Sequence, residues 1–135
     1  MKILVADDSP LIRERLFKII SKINGVTHIY QATNTTEALT IFRNSHPDVI
    51  ILDISMPDQG IFIRGNIMPY TSGIDVLEIV KEENPLTKVI MLTNYPSKQF
   101  RTVCSNLGAD FFFVKSDEFF EIPRVIKDLI NNDKH

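Results

Sequence analysis

The chain has 135 residues, 44% hydrophobic and 24% charged, with a net charge of −2, which suits one soluble globular domain with a sizeable core. It has no run of basic residues to favour nucleic acid or an anionic membrane, no apolar stretch long enough to span a bilayer and no signal peptide ahead of its first strand. The single cysteine, Cys104, cannot form an internal disulfide, and cytoplasmic residence is the expectation.

Taken in order, Lys2-Ile3-Leu4-Val5-Ala6 reads as a short buried strand that ends on Asp7-Asp8. Pro10 suits the first turn of a helix. Ile12, Leu16, Ile19, Ile20 and Ile23 then recur at helical spacing until Asn24-Gly25. Val26 to Ala32 is a less apolar strand, expected at a sheet edge. Asn34-Thr35-Thr36-Glu37 has the pattern of a capping box for a second helix, which ends before His46-Pro47.

Val49-Ile50-Ile51-Leu52 is the most uniformly apolar run, the signature of a strand buried on both faces, and it ends on Asp53. Ser72-Gly73-Ile74-Asp75 opens a third helix reaching Glu83, closed by Asn84-Pro85. Val89-Ile90-Met91-Leu92 is a strand ending on the hydroxyl of Thr93. Pro96-Ser97 leads into a helix with Phe100, Val103, Cys104 and Leu107 on its apolar side, stopped by Gly108. Phe111-Phe112-Phe113-Val114 is the last strand, ending on Lys115, and a final helix carries Ile122, Val125, Ile126, Leu129 and Ile130 on one face. Pro123 limits how early that helix can begin. Five strands alternating with helices imply a parallel sheet with right-handed crossovers.

In such a sheet the strand ends share one edge, where open α/β folds place their sites. Asp7, Asp8 and Asp53 would converge there. Three carboxylates so close repel, and a hard divalent cation such as Mg²⁺ relieves the repulsion.

Asp7-Asp8, Asp53 with Met56-Pro57, Thr93 and Lys115 together resemble the receiver domain of bacterial response regulators, over essentially the whole chain. The resemblance implies a flavodoxin-like, doubly wound five-stranded parallel sheet of order 2-1-3-4-5, forming one receiver domain over residues 1–135. It implies a two-component signalling protein in which Asp53 accepts a phosphoryl group from a histidine kinase or phosphotransfer protein in a Mg²⁺-dependent reaction. That chemistry is self-catalysed and is not enzymatic turnover. By the same resemblance Asp8, Asp53 and the backbone carbonyl of Ser55 would hold Mg²⁺, with Asp7 acting mainly through coordinated water. Lys115 would pair with Asp53 at rest and with a phosphoryl oxygen afterwards. Thr93 would donate its hydroxyl to a second phosphoryl oxygen. Phe112 matches the switch aromatic; lacking a hydroxyl, its inward state would be held by packing alone.

The output would be a changed protein–protein contact with a target the sequence does not name. The family uses the face of the fourth helix, fifth strand and last helix, which here offers Lys98, Gln99, Arg101 and Lys127. A dimer is compatible with the sequence. Neither nucleic acid nor membrane is expected as a partner.

The chain departs from the pattern in places. The family's glycine at the start of the third helix matches Gly73, which leaves an apolar insertion at approximately 59–71. Around Arg64-Gly65-Asn66 the insertion has the pattern of a small hairpin. Such a loop could cover the site or bind a partner, so the alternative is a receiver-like interaction module that works through the insertion without phosphorylation. Lys115 is followed by Ser116 where proline is usual, leaving cis and trans forms of that bond both open. Asn94 is bulkier than the residue usual after the threonine, and Ser55 and Tyr95 occupy positions that tune phosphoryl lifetime. A haloacid-dehalogenase-type phosphatase needs a second aspartate at the place of Ser55. A flavodoxin-like cofactor binder would not place Asp7-Asp8 where phosphate must sit.

Overall fold

The computed structural model describes residues 1–56 and 72–133. Five strands, β1 (Lys2–Ala6), β2 (His28–Ala32), β3 (Val49–Asp53), β4 (Lys88–Thr93) and β5 (Phe111–Val114), form one parallel sheet of order β2-β1-β3-β4-β5. The chain begins in the middle of the sheet and winds outward to both edges, so β3 is central and all five of its residues are buried. β2 lies at an edge, as its weaker apolar content predicts.

The pleat divides each strand's side chains between two cores. Leu4, Ile50, Leu52, Val89, Met91 and Phe112 face α2 (Thr35–Ser45), α3 (Ser72–Glu83) and α4 (Lys98–Asn106). Ile3, Val5, Val49, Ile51, Ile90 and Leu92 face α1 (Pro10–Ile20) and α6 (Glu121–Asp133). Phe111 and Phe113 join this second core, opposite Phe112. Cys104 is fully buried in the first core, and burial pushes its thiol up to about 11, as suits a structural residue.

Helix ends follow the expected chemistry. Ser9 caps α1 by accepting from the Ile12 N–H, with Pro10 in the first turn. Asn34 caps α2 by accepting from the Glu37 N–H, and Glu37 reaches back to the Thr33 N–H at 2.7 Å. His46 ends α2 in a left-handed conformation, φ 50°. One element is unanticipated: a four-residue helix, α5 (Lys115–Glu118), begins where Lys115 was expected merely to end a strand. The Lys115–Ser116 peptide bond is trans.

The insertion at 59–71 and its hairpin lie outside the described residues. Its flanks are joined, because the Gly73 N–H donates to Ile54 O at 2.9 Å. A Cβ on Gly73 would stand 2.0 Å from Asp53 O and 2.8 Å from Ile54 Cα. Only a residue without a side chain lets α3 start this close to the end of β3. Gly73→Ala should therefore lower stability by about 3 kcal/mol or more, read from urea unfolding, because backbone rather than a movable side chain must give way.

Candidate functional site: a carboxylate cluster at the carboxyl edge of the sheet

Register sets the level of each site residue. Ala6 pairs with Leu52, so Asp7 leaves β1 level with Asp53. Asp53 pairs with Leu92, and Thr93 with Val114, so the Thr93 hydroxyl and then Lys115 stand at the ends of the next two strands. Asp7 and Asp53 are 1% and 3% exposed, while Asp8 is open to solvent. One carboxylate oxygen from each of the three lies within 4.8 Å of the others.

The two buried carboxylates are used alike. Asp7 Oδ1 accepts from the Ser9 N–H at 2.9 Å, and Asp53 Oδ1 accepts from the Ser55 N–H at 3.1 Å, each bracing the turn after its own strand. That leaves both Oδ2 atoms facing Lys115, whose Nζ is 2.7 Å from Asp7 and 3.4 Å from Asp53. Lys115 thus serves both acids and sits closer to Asp7, where pairing with Asp53 was expected. The contact with Asp7 is a close ion pair between two buried groups. Thr93 is 2% exposed, and its Oγ1 accepts from the Tyr95 N–H at 3.1 Å.

Electrostatics follow from this packing. Burial, then the charge of Asp7, pushes Asp53 up to about 6, against the opposing pull of Lys115 and the Ser55 amide. Burial alone would lower the Lys115 ammonium, but the charges of Asp53 and Asp7 outweigh it and hold it above the usual lysine range. Three acids against one lysine leave the pocket short of positive charge. The donor set is all oxygen, and its atoms are close enough to share one ion, so a hard cation of the Mg²⁺ class fits it.

Phe112 is 8% exposed and turned into the core. It is not held by packing alone. The Arg101 guanidinium lies over its ring, 4.7 Å from the centroid, and Arg101 Nη1 donates to Phe112 O at 3.3 Å. Arg101, exposed on α4 as the sequence suggested, is therefore also engaged with β5. Lys127 lies beside Lys22 and Ile23 near the end of α1, away from α4. Sequence reasoning also passed over Arg13, whose Nη1 donates to Asp7 O at 2.8 Å and whose Nε donates to Gln31 at 3.2 Å. Its only signal was a cation one turn into the helix that follows the acid pair.

The profile of the response regulator receiver domain matches residues 3–127. The chain belongs to the response regulator receiver family. Response regulator GacA of Pseudomonas syringae is 26% identical over 127 residues, which are 94% of this chain and 54% of that protein. The receiver domain of Francisella response regulator 1452 superposes with a TM-score of 0.75 at 25% identity, over 99% of this chain and 98% of that one. A CheY-like receiver domain protein of Methanospirillum hungatei shares the fold, with a TM-score of 0.80 at 24% identity over 98% of this chain and 95% of that one. The chain spans about half the length of the curated relatives it matches. Receiver domains are signalling modules of two-component systems that bind Mg²⁺ at an acidic pocket, and this chain carries such a pocket. Among the described residues no helix is long and apolar enough to cross a membrane.

Between pH about 4 and 6 the folded chain holds a proton on Asp53 that an unfolded chain has already lost. Without divalent metal, stability should therefore fall as pH rises through that window, by about 2–3 kcal/mol. Urea midpoints across the range check this, and Asp53→Asn should flatten the fall.

Proposed function

We propose that this receiver domain takes a phosphoryl group onto Asp53 from a histidine kinase or phosphotransfer protein and signals through altered contacts with a target protein. The observation that supports this most is the meeting of Asp7, Asp8, Asp53 and Lys115 at the ends of their strands. In the transfer, a carboxylate oxygen of Asp53 bonds to phosphorus while the bond from phosphorus to the donor nitrogen breaks, its electron pair leaving with the imidazole. The product is an acyl phosphate. Little covalent work falls to the protein, so position and charge carry the catalysis.

Asp8, Asp53 and the Ser55 carbonyl would hold Mg²⁺, with Asp7 assisting through water. Bound there, the ion would neutralise phosphoryl oxygens and help align the donor. Lys115 would exchange a carboxylate for a phosphoryl oxygen, and the Thr93 hydroxyl, which accepts from the Tyr95 amide, would donate its hydrogen to another. The step needs Asp53 ionised, which its elevated proton affinity opposes until a cation enters. A phosphorylation-independent module is not favoured, since every residue the chemistry needs is present.

Incubation with acetyl phosphate and Mg²⁺, followed by intact-protein mass, should show one labile added phosphoryl group. Asp53→Ala should abolish it, as should omission of Mg²⁺; a stable or Asp53-independent adduct would contradict the assignment. Lys115→Ala should slow phosphoryl uptake yet tighten Mg²⁺ binding roughly tenfold by calorimetry, because a unit positive charge leaves the ion's neighbourhood.

A further inference from the structure

β5 is an edge strand, and among the described residues no strand pairs with it on the side away from β4. Alternate residues of such a strand turn their main-chain groups outward, where they could bond a further strand. Phe112 O and the Val114 N–H are two such groups. They are the pair that a parallel neighbour would engage with one of its residues opposite Phe113, donating to the first and accepting from the second.

Both groups are taken by side chains. Arg101, on α4, donates Nη1 to Phe112 O at 3.3 Å. Glu118, the last residue of α5, accepts from the Val114 N–H through Oε1 at 3.1 Å. The two side chains meet each other, with Arg101 Nη2 3.7 Å from Glu118 Oε1. Arg101 also covers the Phe112 ring at 4.7 Å. An ion pair thus reproduces one residue of an absent sixth strand, and it does so on the three residues immediately before Lys115.

We infer that Arg101 and Glu118 are positioning residues for Lys115. They fix the end of β5 from its open side, while β4 fixes it from the other. Lys115 follows Val114 directly and is also the first residue of the helix that Glu118 closes. Its backbone is therefore held from before and after. The ammonium must reach between two buried carboxylates at 2.7 and 3.4 Å, a placement that a loose strand end would not sustain. The bridge also ties α4 to the site through side chains, independently of the Thr93 loop.

As an ion pair on the surface, with side chains 52% and 36% exposed, the bridge adds little stability by itself. Its effect lies in where Lys115 points. This inference deepens the proposed function, but its test needs no phosphodonor. Mg²⁺ affinity is measured by calorimetry for the full chain and for Glu118→Ala, Glu118→Gln and Lys115→Ala, alone and combined. Glu118→Gln has the same charge as Glu118→Ala and keeps an acceptor for Val114, so their difference isolates the hydrogen bond that Glu118 makes to the end of β5.

Glu118→Ala should bind Mg²⁺ severalfold more tightly than Glu118→Gln, moving toward Lys115→Ala, because a mis-aimed ammonium no longer opposes the ion. Added to Lys115→Ala, it should have no further effect. In hydrogen exchange the Val114 amide should open about tenfold faster in Glu118→Ala and stay within about twofold of wild type in Glu118→Gln. Equal Mg²⁺ affinity in the two Glu118 variants, or a full additional gain on top of Lys115→Ala, would overturn the inference. Failure of wild type to take up a phosphoryl group would sink the proposed function and leave these comparisons intact.

Discussion

A single ammonium group is shared between two buried carboxylates, and the rest of the site is arranged to permit this. Asp7 and Asp53 each commit one oxygen to an amide of the following turn, and the remaining oxygens converge on Lys115. Neither acid could be buried so deeply unpaired. One lysine cannot neutralise both, and the residual negative charge is what makes the pocket receptive to a cation. Burial, with the charge of Asp7 added to it, raises the proton affinity of Asp53, so metal and proton compete for one oxygen cluster.

Backbone geometry carries the arrangement. The apolar strands are buried on both faces, so their register is strongly specified, and with it the level of every residue at their ends. Gly73 adds a constraint from the other side of β3, since the start of α3 touches the Asp53 carbonyl too closely for any side chain. The proposed nucleophile is therefore fixed by the strand it ends and by the helix beside it.

Much of this was legible in the sequence because buried strands and helix caps leave local marks. The apolar run before Asp53, Pro10 in the first turn of α1, the Asn34 capping box and the helix start at Ser72-Gly73 each announce themselves by residue type and neighbours. The convergence of acids followed from a parallel sheet built on those marks, and the strand order from the resemblance they support. Partner choice among charged side chains left no such mark. That Lys115 lies nearer Asp7 than Asp53 and that Arg101 lies over Phe112 depend on side-chain paths between different elements, and Glu118 reaches back to Val114 across a single helical turn. The short helix at Lys115 was missed for a related reason: its N-cap residue, Val114, makes no side-chain cap hydrogen bond, and Glu118 instead accepts from the Val114 N–H.

At the opposite end of the sheet, Lys81 of α3 donates to Thr87 O at 2.6 Å and to Asp110 Oδ2 at 2.9 Å, and the same Asp110 oxygen accepts from the Val89 N–H. Gly108, just past α4, rests on the stem of Lys81. The turn after α4 is thus tied to α3 and β4 at this end of the sheet, while Ser97, the Thr93 turn and the Arg101 contacts flank the helix at the end nearest the carboxylates. A displacement arising at Thr93 would become a swing about that tie. Its arm would be the helix itself, about 14 Å long, so travel would be greatest at Lys98 and least at Gly108. The domain would then report its state by the angle of a lever, and a target that reads it would need to grip α4 by the end nearest the carboxylates.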